Sequence, residues 1–322
     1  MRIYRGLDEV PADFGPSALT IGNFDGVHFG HRRILRRLEE IAGGRGWKSS
    51  VLMFDPHPTR VVAPERAPRL MTSPERRAEL MAAEGIEQVL ILPFTAEVAN
   101  LSPEEFVRQL LVERLNVRAV LVGDNFRFGH RQAGNGEVLR ALGERFGFET
   151  EIISAVRCHG RVVSSSGIRE LLRAGRVSVA ARLLDHPYAL EGAVVSGRGI
   201  GTKETVPTLN LETAAELIPE TGVYVTRTRD LDAPRAWPSV TNIGYRPTFG
   251  ASNRLSIETF LLAPLDGEPP RRMAVDFLWR VRPERKFGSP EALKAQIMKD
   301  AAAAARYFRR SKAWITRPVA TA

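Results

Sequence analysis

Cysteine is nearly absent from this sequence. Cys158 is the only one in 322 residues, which excludes an internal disulfide and any cysteine-rich metal site and fits a reducing compartment. No apolar run is long enough to span a bilayer. The opening residues, MRIYRGLDEV, hold no apolar core of signal-peptide length, so a cytoplasmic protein is expected. Internal repeats and low-complexity linkers are also missing. What remains is a globular balance, with 43% hydrophobic and 26% charged residues, in a chain long enough for two domains that each bury a core.

Negative charge is the minority sign. The net charge is +9 and the isoelectric point about 10.2, so a nucleic-acid partner has to be weighed. Residues 1–184 carry 26 Lys and Arg against 22 Asp and Glu, and residues 185–322 carry 20 against 15. The excess is therefore diffuse, and its densest patch, RYFRRSK at 306–312, reads as one solvated helix face. Spread charge of this kind suits small anionic ligands, and neither nucleic acid nor membrane is expected as a partner.

Short apolar runs alternate with helical patterns in the first half. ALTIG (18–22), VLMF (51–54), VLIL (89–92) and AVLVG (119–123) read as buried strands. Between them, HRRILRRLEEIAGG sets Ile34, Leu35, Leu38, Ile41 and Ala42 on one helical face and is expected to stop at Gly43 and Gly44. Ser73-Pro74-Glu75 and Ser102-Pro103-Glu104 are helix starts, with serine as cap and proline in the first turn. Alternating strands and helices predict a parallel sheet wrapped by helices, with ligands at the carboxyl ends of its strands. After about residue 184 the pattern changes to alternating β-branched segments, EGAVVSG, GVYVTRT, SVTNIG, SIETFLL and MAVDFLWRV. These predict a small antiparallel barrel or sandwich, closed by a helix over 290–309 that Ser289 and Pro290 start. The expected division is 1–184 and 185–322.

The stretch TIGNFDGVHFGH (20–31) sits where the first such strand gives way to a helix. Backbone N–H groups and the positive end of the helix favour an anion there. Gly22, Gly26 and Gly30 let the backbone approach a ligand closely, and His28 and His31 can donate to phosphate oxygens as charge builds up. A zinc pair is the weaker reading, because histidines on a standard zinc helix stand four apart and no cysteine assists.

The run from Gly22 to His31, G-x-F-D-G-x-H-x-G-H, resembles the signature of the nucleotidyltransferase superfamily in the form of its FAD synthetase branch. FDPHP (54–58), VGDNFRFGHRQAGN (122–135) and VSSSGIRELLRAG (163–175) match further elements of that branch in order. The resemblance implies a Rossmann-like α/β domain in which a phosphate of FMN attacks the α-phosphorus of ATP, a step that needs positioning and charge neutralisation. By that resemblance His28, His31 and Asn23 face the ATP phosphates, with Gly22, Phe24, Asp25 and Gly30 building the ATP loop. Ser164, Ser165 and Arg169 close over the triphosphate, Arg169 as a permanently charged fork. His57, Asp124, Asn125 and Arg127 shape the flavin side. Read without the resemblance, Phe126 and Phe128 are packing residues of a turn.

GRGIGTKETVPTLNLE (197–212) is a glycine-rich loop entering a strand; it lacks the Gly-Lys-Ser/Thr ending of a Walker A motif. Thr208 and Asn210 fall on one face of that strand, where they could hold a metal and a phosphate together or simply cap a turn. The segment resembles the G-x-P-T-A-N loop of riboflavin kinases, and ETGVYVTRT (220–228), VTNIGYRPTFG (240–250) and SIETFLL (256–262) resemble later strands of that family. The resemblance implies ATP binding by Gly197, Pro207, Thr208 and Asn210, with Mg²⁺ held by Thr208 and Asn210. Glu258 then serves as general base for the ribityl hydroxyl of riboflavin. Departures lie in the loop: Leu209 stands where alanine is usual, Thr205-Val206 where Gly-Phe is usual, and Thr202 where arginine is frequent. Lys203 is expected to supply the missing cation.

The whole is identified as a member of the prokaryotic bifunctional riboflavin kinase/FAD synthetase family. What this implies is an ATP- and Mg²⁺-dependent enzyme that makes FMN from riboflavin and FAD from FMN, as a monomer or weak homo-oligomer. Two rivals differ from it. A nucleotidyltransferase for pantetheine phosphate or nicotinamide mononucleotide leaves the kinase-like half without a purpose. A basic nucleic-acid-binding or flavin-responsive regulator on a degenerate synthetase fold rests on charge alone.

Overall fold

The computed structural model describes residues 1–158, 160–195, 208–246, 254–265 and 267–311. By internal contacts the chain divides into two units, Met1–Ser165 and a second from Ser166 onward.

The first unit is a six-stranded parallel sheet in the order β1-β4-β3-β2-β5-β6. Its strands are β1 (Arg2–Arg5), β2 (Ser17–Ile21), β3 (Lys48–Asp55), β4 (Gln88–Pro93), β5 (Val117–Gly123) and β6 (Glu149–Ile153). The four apolar runs of the sequence are the four central strands. The edge strands β1 and β6 stay half exposed, so their side chains leave no buried run to read. Helices α1 (Phe29–Arg45), α2 (Pro58–Val62), α3 (Pro74–Ala82), α4 (Ala96–Asn100), α5 (Pro103–Glu105) and α6 (Gly136–Phe146) fill the connections, α5 running on as a wider π-helix over Phe106–Arg114. On one face of the sheet, α1 and α3 bury Leu35, Leu38, Leu80 and Met81 against Val51, Met53, Val89 and Leu121. On the other, Phe106, Leu110, Leu111 and Leu139 cover Leu19, Leu52, Leu90 and Val120.

The serine caps form as expected, Ser73 accepting from the Arg76 N–H at 3.1 Å and Ser102 closing a capping box with Glu105. The end of α1 differs. Gly43 and Gly44 stay helical, and the chain turns at Gly46, which takes a left-handed φ of 66°. The Trp47 N–H then reaches back to the Ala42 carbonyl at 2.9 Å. This closure needs an apolar residue after the left-handed one, and Trp47, packed on the core, provides it.

After a short hairpin, β7 (Arg157–Cys158) and β8 (Arg161–Val162), the second unit opens with α7 (Ser165–Arg173) and α8 (Val177–Leu184). The rest of that unit is built on a closed antiparallel barrel in the order β10-β13-β12-β11-β14-β9. Its strands are β9 (Tyr188–Val195), β10 (Thr208–Glu212), β11 (Gly222–Asp230), β12 (Ala236–Arg246), β13 (Arg254–Leu261) and β14 (Arg272–Arg282), followed by α9 (Pro290–Arg310). One strand face is fully buried and lined with hydroxyls: Thr226 lies 2.8 Å from both Ser239 and Thr241, and Thr241 lies 2.9 Å from Thr259. The alternate face of β11 and β12 offers Val223, Val225 and Val240, which α9 covers with Ala304, Tyr307 and Phe308.

Tyr224 is buried in this barrel and donates its hydroxyl to the Glu220 carbonyl. Burial pushes that hydroxyl up to about 12. The unfolded chain releases this proton near pH ~10 and the folded chain retains it, so the barrel is expected to lose about 1.4 kcal/mol of stability per pH unit between pH ~10 and ~12. Urea unfolding across that range checks this, and Tyr224→Phe should flatten the dependence.

Candidate active sites

In the first unit the sheet order places β3 on one side of β2 and β5 on the other. The chain departs from β2 in one direction and returns on the opposite side, so the carboxyl ends of β2 and β5 bound a topological switch point, where open α/β sheets bind ligands. Residues 22–28 occupy that place. Gly22 donates its N–H to Leu52 at 3.1 Å, and a turn closes from the Val27 N–H to the Phe24 carbonyl at 2.9 Å. Gly26 has a φ of 82°, as a glycine allows. Phe24 at 50° and Val27 at 39° also lie in the left-handed region, where non-glycine residues cost about 1–3 kcal/mol each. Such strain persists only where surrounding contacts hold it.

Those contacts come from a segment some 46 residues along the chain. The Asp25 carboxylate, 2% exposed, accepts the Met71 and Thr72 N–H groups at 3.0 Å and the Thr72 hydroxyl at 3.0 Å. The same Thr72 oxygen accepts the Gly26 N–H at 3.0 Å. The buried guanidinium of Arg77 donates to the Asn23 carbonyl at 2.8 Å, and the Ser165 hydroxyl to the Asp25 carbonyl at 3.0 Å. Asp25 therefore ties the loop down from within. Asp25→Ala strands buried donors and is expected to cost about 3 kcal/mol in urea unfolding; an unchanged midpoint would show that the network contributes nothing.

His28 is the N-cap of α1, its Nδ1 accepting the His31 N–H at 3.2 Å. The two imidazoles stack at 3.6 Å between ring centres, 12° from parallel, and the Phe24 ring leans on His31 at 4.9 Å. A Cβ at Gly30 would stand 3.3 Å from the His28 ring, so a side chain there would press on that imidazole. The structure thus brings His28 and His31 together at the helix start. Earlier in the loop, the Asn23 side-chain amide lies 3.0 Å from Nε2 of His57, which follows β3 and caps α2.

Beyond β5, Asp124 accepts the Ala155 N–H at 2.9 Å, while Asn125 and Arg127 are exposed. Phe128 is core and Phe126 stacks on it at 5.4 Å, so both phenylalanines pack. Ser164 and Ser165 stand at the start of α7, and Arg169, one turn further on, is 7% exposed. Sequence reasoning did not single out Thr72 or Arg77. Neither belongs to a recognisable local pattern, and only the fold brings them to the loop.

In the barrel, Asn210 pairs with Glu258 across β10 and β13, and Glu258 pairs with Asn242 across β13 and β12. The three side chains therefore form a row on one half-buried face. Thr208 lies on the same face, two residues before Asn210. The Ser256 hydroxyl donates to Glu258 Oε1 at 3.2 Å. Asn242 went unread in the sequence, because its place beside Glu258 depends on strand register. Gly197, Lys203 and Pro207, with the atypical Thr202, Thr205 and Val206, lie outside the described residues.

A loop of this kind at a switch point defines an α/β nucleotide-handling module, here joined in one chain to a barrel with its own polar row. Comparison with known proteins specifies both. Residues 10–167 match the family model of FAD synthetase, and residues 184–308 that of riboflavin kinase. A bifunctional riboflavin kinase/FMN adenylyltransferase from Pseudomonas fluorescens is 38% identical over 94% of this chain and 97% of its own length. One from Escherichia coli strain K12 is 35% identical over 96% of this chain and 98% of its own. A crystal structure described as a macrolide-efflux protein from Streptococcus pneumoniae has a TM-score of 0.85 at 24% identity, covering 94% of this chain and 99% of that one; it shares the fold. This chain belongs to the family of bifunctional riboflavin kinase/FMN adenylyltransferases. Among the described residues, no helix is long and apolar enough to cross a membrane.

Proposed function

We propose that the barrel phosphorylates riboflavin to FMN and that the α/β unit then transfers the adenylyl group of ATP to FMN, releasing pyrophosphate. The observation that carries the second step is the stacked His28–His31 pair at the start of α1, beside the switch point. The imidazoles and the backbone N–H groups of the loop offer donors to an oxyanion as charge shifts from the α-phosphorus to the departing pyrophosphate. Ser164 is read as a further donor to the triphosphate, whereas the Ser165 hydroxyl, given to the Asp25 carbonyl, holds the loop. His28 caps through Nδ1, so in its neutral form it carries its proton on Nε2 and donates from there. No protein nucleophile is required, since a phosphate oxygen of FMN attacks.

For the kinase step, Glu258 takes the proton of the ribityl hydroxyl as that oxygen attacks the γ-phosphorus of ATP. The Ser256 hydroxyl holds the carboxylate in place. Thr208 and Asn210 offer hard oxygen donors on the same face, a set that fits Mg²⁺ shared with nucleotide phosphates; when bound, the ion neutralises phosphate charge. The product of the barrel is the substrate of the α/β unit, which supports a flavin over another acceptor. The same reading gives a cytoplasmic protein, monomeric or weakly associated. Incubation with riboflavin, ATP and Mg²⁺, followed by chromatography over time, tests it: FMN should appear and pass on to FAD; no loss of riboflavin removes the kinase half, and FMN that accumulates with no FAD removes the other.

A further inference from the structure

His57 makes two contacts that together fix the position of its proton. Its Nδ1 accepts the Thr59 N–H at 3.2 Å, capping α2, and its Nε2 lies 3.0 Å from the side-chain amide of Asn23. A nitrogen that accepts keeps its lone pair, so the neutral ring carries its hydrogen on Nε2 and donates there. If the Asn23 NH₂ group faced this Nε2–H, two donors would oppose each other at 3.0 Å and the amide oxygen would be left buried with no partner. Turning the amide by half a rotation removes both faults. The carbonyl oxygen then accepts from His57, and the NH₂ group takes the place of the orphaned oxygen, where it needs an acceptor.

We infer that His57 is a positioning residue for adenylyl transfer, holding Asn23 so that its NH₂ group, and not its carbonyl, is presented to a phosphoryl oxygen. The inference rests on the reading of the 22–28 loop as the ATP phosphate site, and it places His57 on the phosphate side and not the flavin side. The chain of control runs from the backbone of α2 to the ring tautomer, then to the amide, then to the ligand. An oxygen turned the other way would select a cation at that point.

Paired substitutions separate this role from simple helix capping. His57→Asn keeps an acceptor where Nδ1 stands and loses the donor; His57→Gln supplies a donor where Nε2 stands and loses the cap. The inference expects His57→Asn to lower kcat for FMN-to-FAD conversion about 100-fold, with His57→Gln recovering at least about tenfold of it. The reverse ranking, or equal rates, overturns it. Asn23→Asp, which has no donor to offer, should lose about 100-fold or more; retained or raised activity would show that the amide oxygen faces the ligand. A measurement on the unaltered protein guards against misfolded variants. Nitrogen-15 spectra of labelled histidine should show a bare Nδ1 and a protonated Nε2 at His57, and the opposite tautomer overturns the inference. If His28→Ala also leaves FAD formation intact, the phosphate-site reading itself has failed, an outcome distinct from all of these.

Discussion

Alanine at His31 is expected to cut FAD formation by about 10²–10³-fold, while riboflavin is still converted to FMN. The imidazole lies at the positive end of α1, stacked on His28 at 3.6 Å, where it can donate to phosphate oxygens as negative charge moves to the leaving pyrophosphate. Removing it deletes a donor from a site whose catalysis is almost wholly positioning and charge stabilisation. His31→Ala is a cleaner test than His28→Ala. His28 also caps α1, and a lost cap costs about 1 kcal/mol of stability, so its loss of activity would mix two causes. Separate chromatographic quantification of FMN and FAD decides the matter. Simultaneous loss of both products would show that the two activities are not independent, and undiminished FAD would remove His31 from the phosphate site.

Glu258→Gln is expected to do the reverse, lowering FMN formation by about 10²–10⁴-fold, the usual value of a general base, with supplied FMN still converted to FAD. Glutamine has nearly the same shape and can still accept from Ser256, whose hydroxyl lies 3.2 Å from the carboxylate. The row Asn210–Glu258–Asn242 therefore survives the substitution. What disappears is the ability to take a proton at neutral pH. Equal FMN rates for the two proteins would show that the carboxylate is not the base.

Much of the architecture is written in short stretches of the chain. Ser73-Pro74, Ser102-Pro103 and Ser289-Pro290 each start the helix they announce, because cap and first turn involve residues only three apart. The four central strands show as apolar runs because both their faces are covered. The end of α1 escaped the same logic. Three glycines stand between residues 43 and 46, and which of them turns left-handed was settled by Trp47 docking on a core built from distant strands.

The candidate sites divide in the same way. Sequence alone determined the residue types at the strand–helix junction, Asn23, His28 and His31, together with the two-part pattern and the helix starts, since each depends on neighbours within one turn or one strand. Only the tertiary structure decided that β2 lies at the switch point and that Asn23 meets both His57 and Arg77. It alone set Glu258 between Asn210 and Asn242. Partners 34 and 54 residues apart, or on separate strands, meet through loop closure and register, and no local pattern of side chains encodes either.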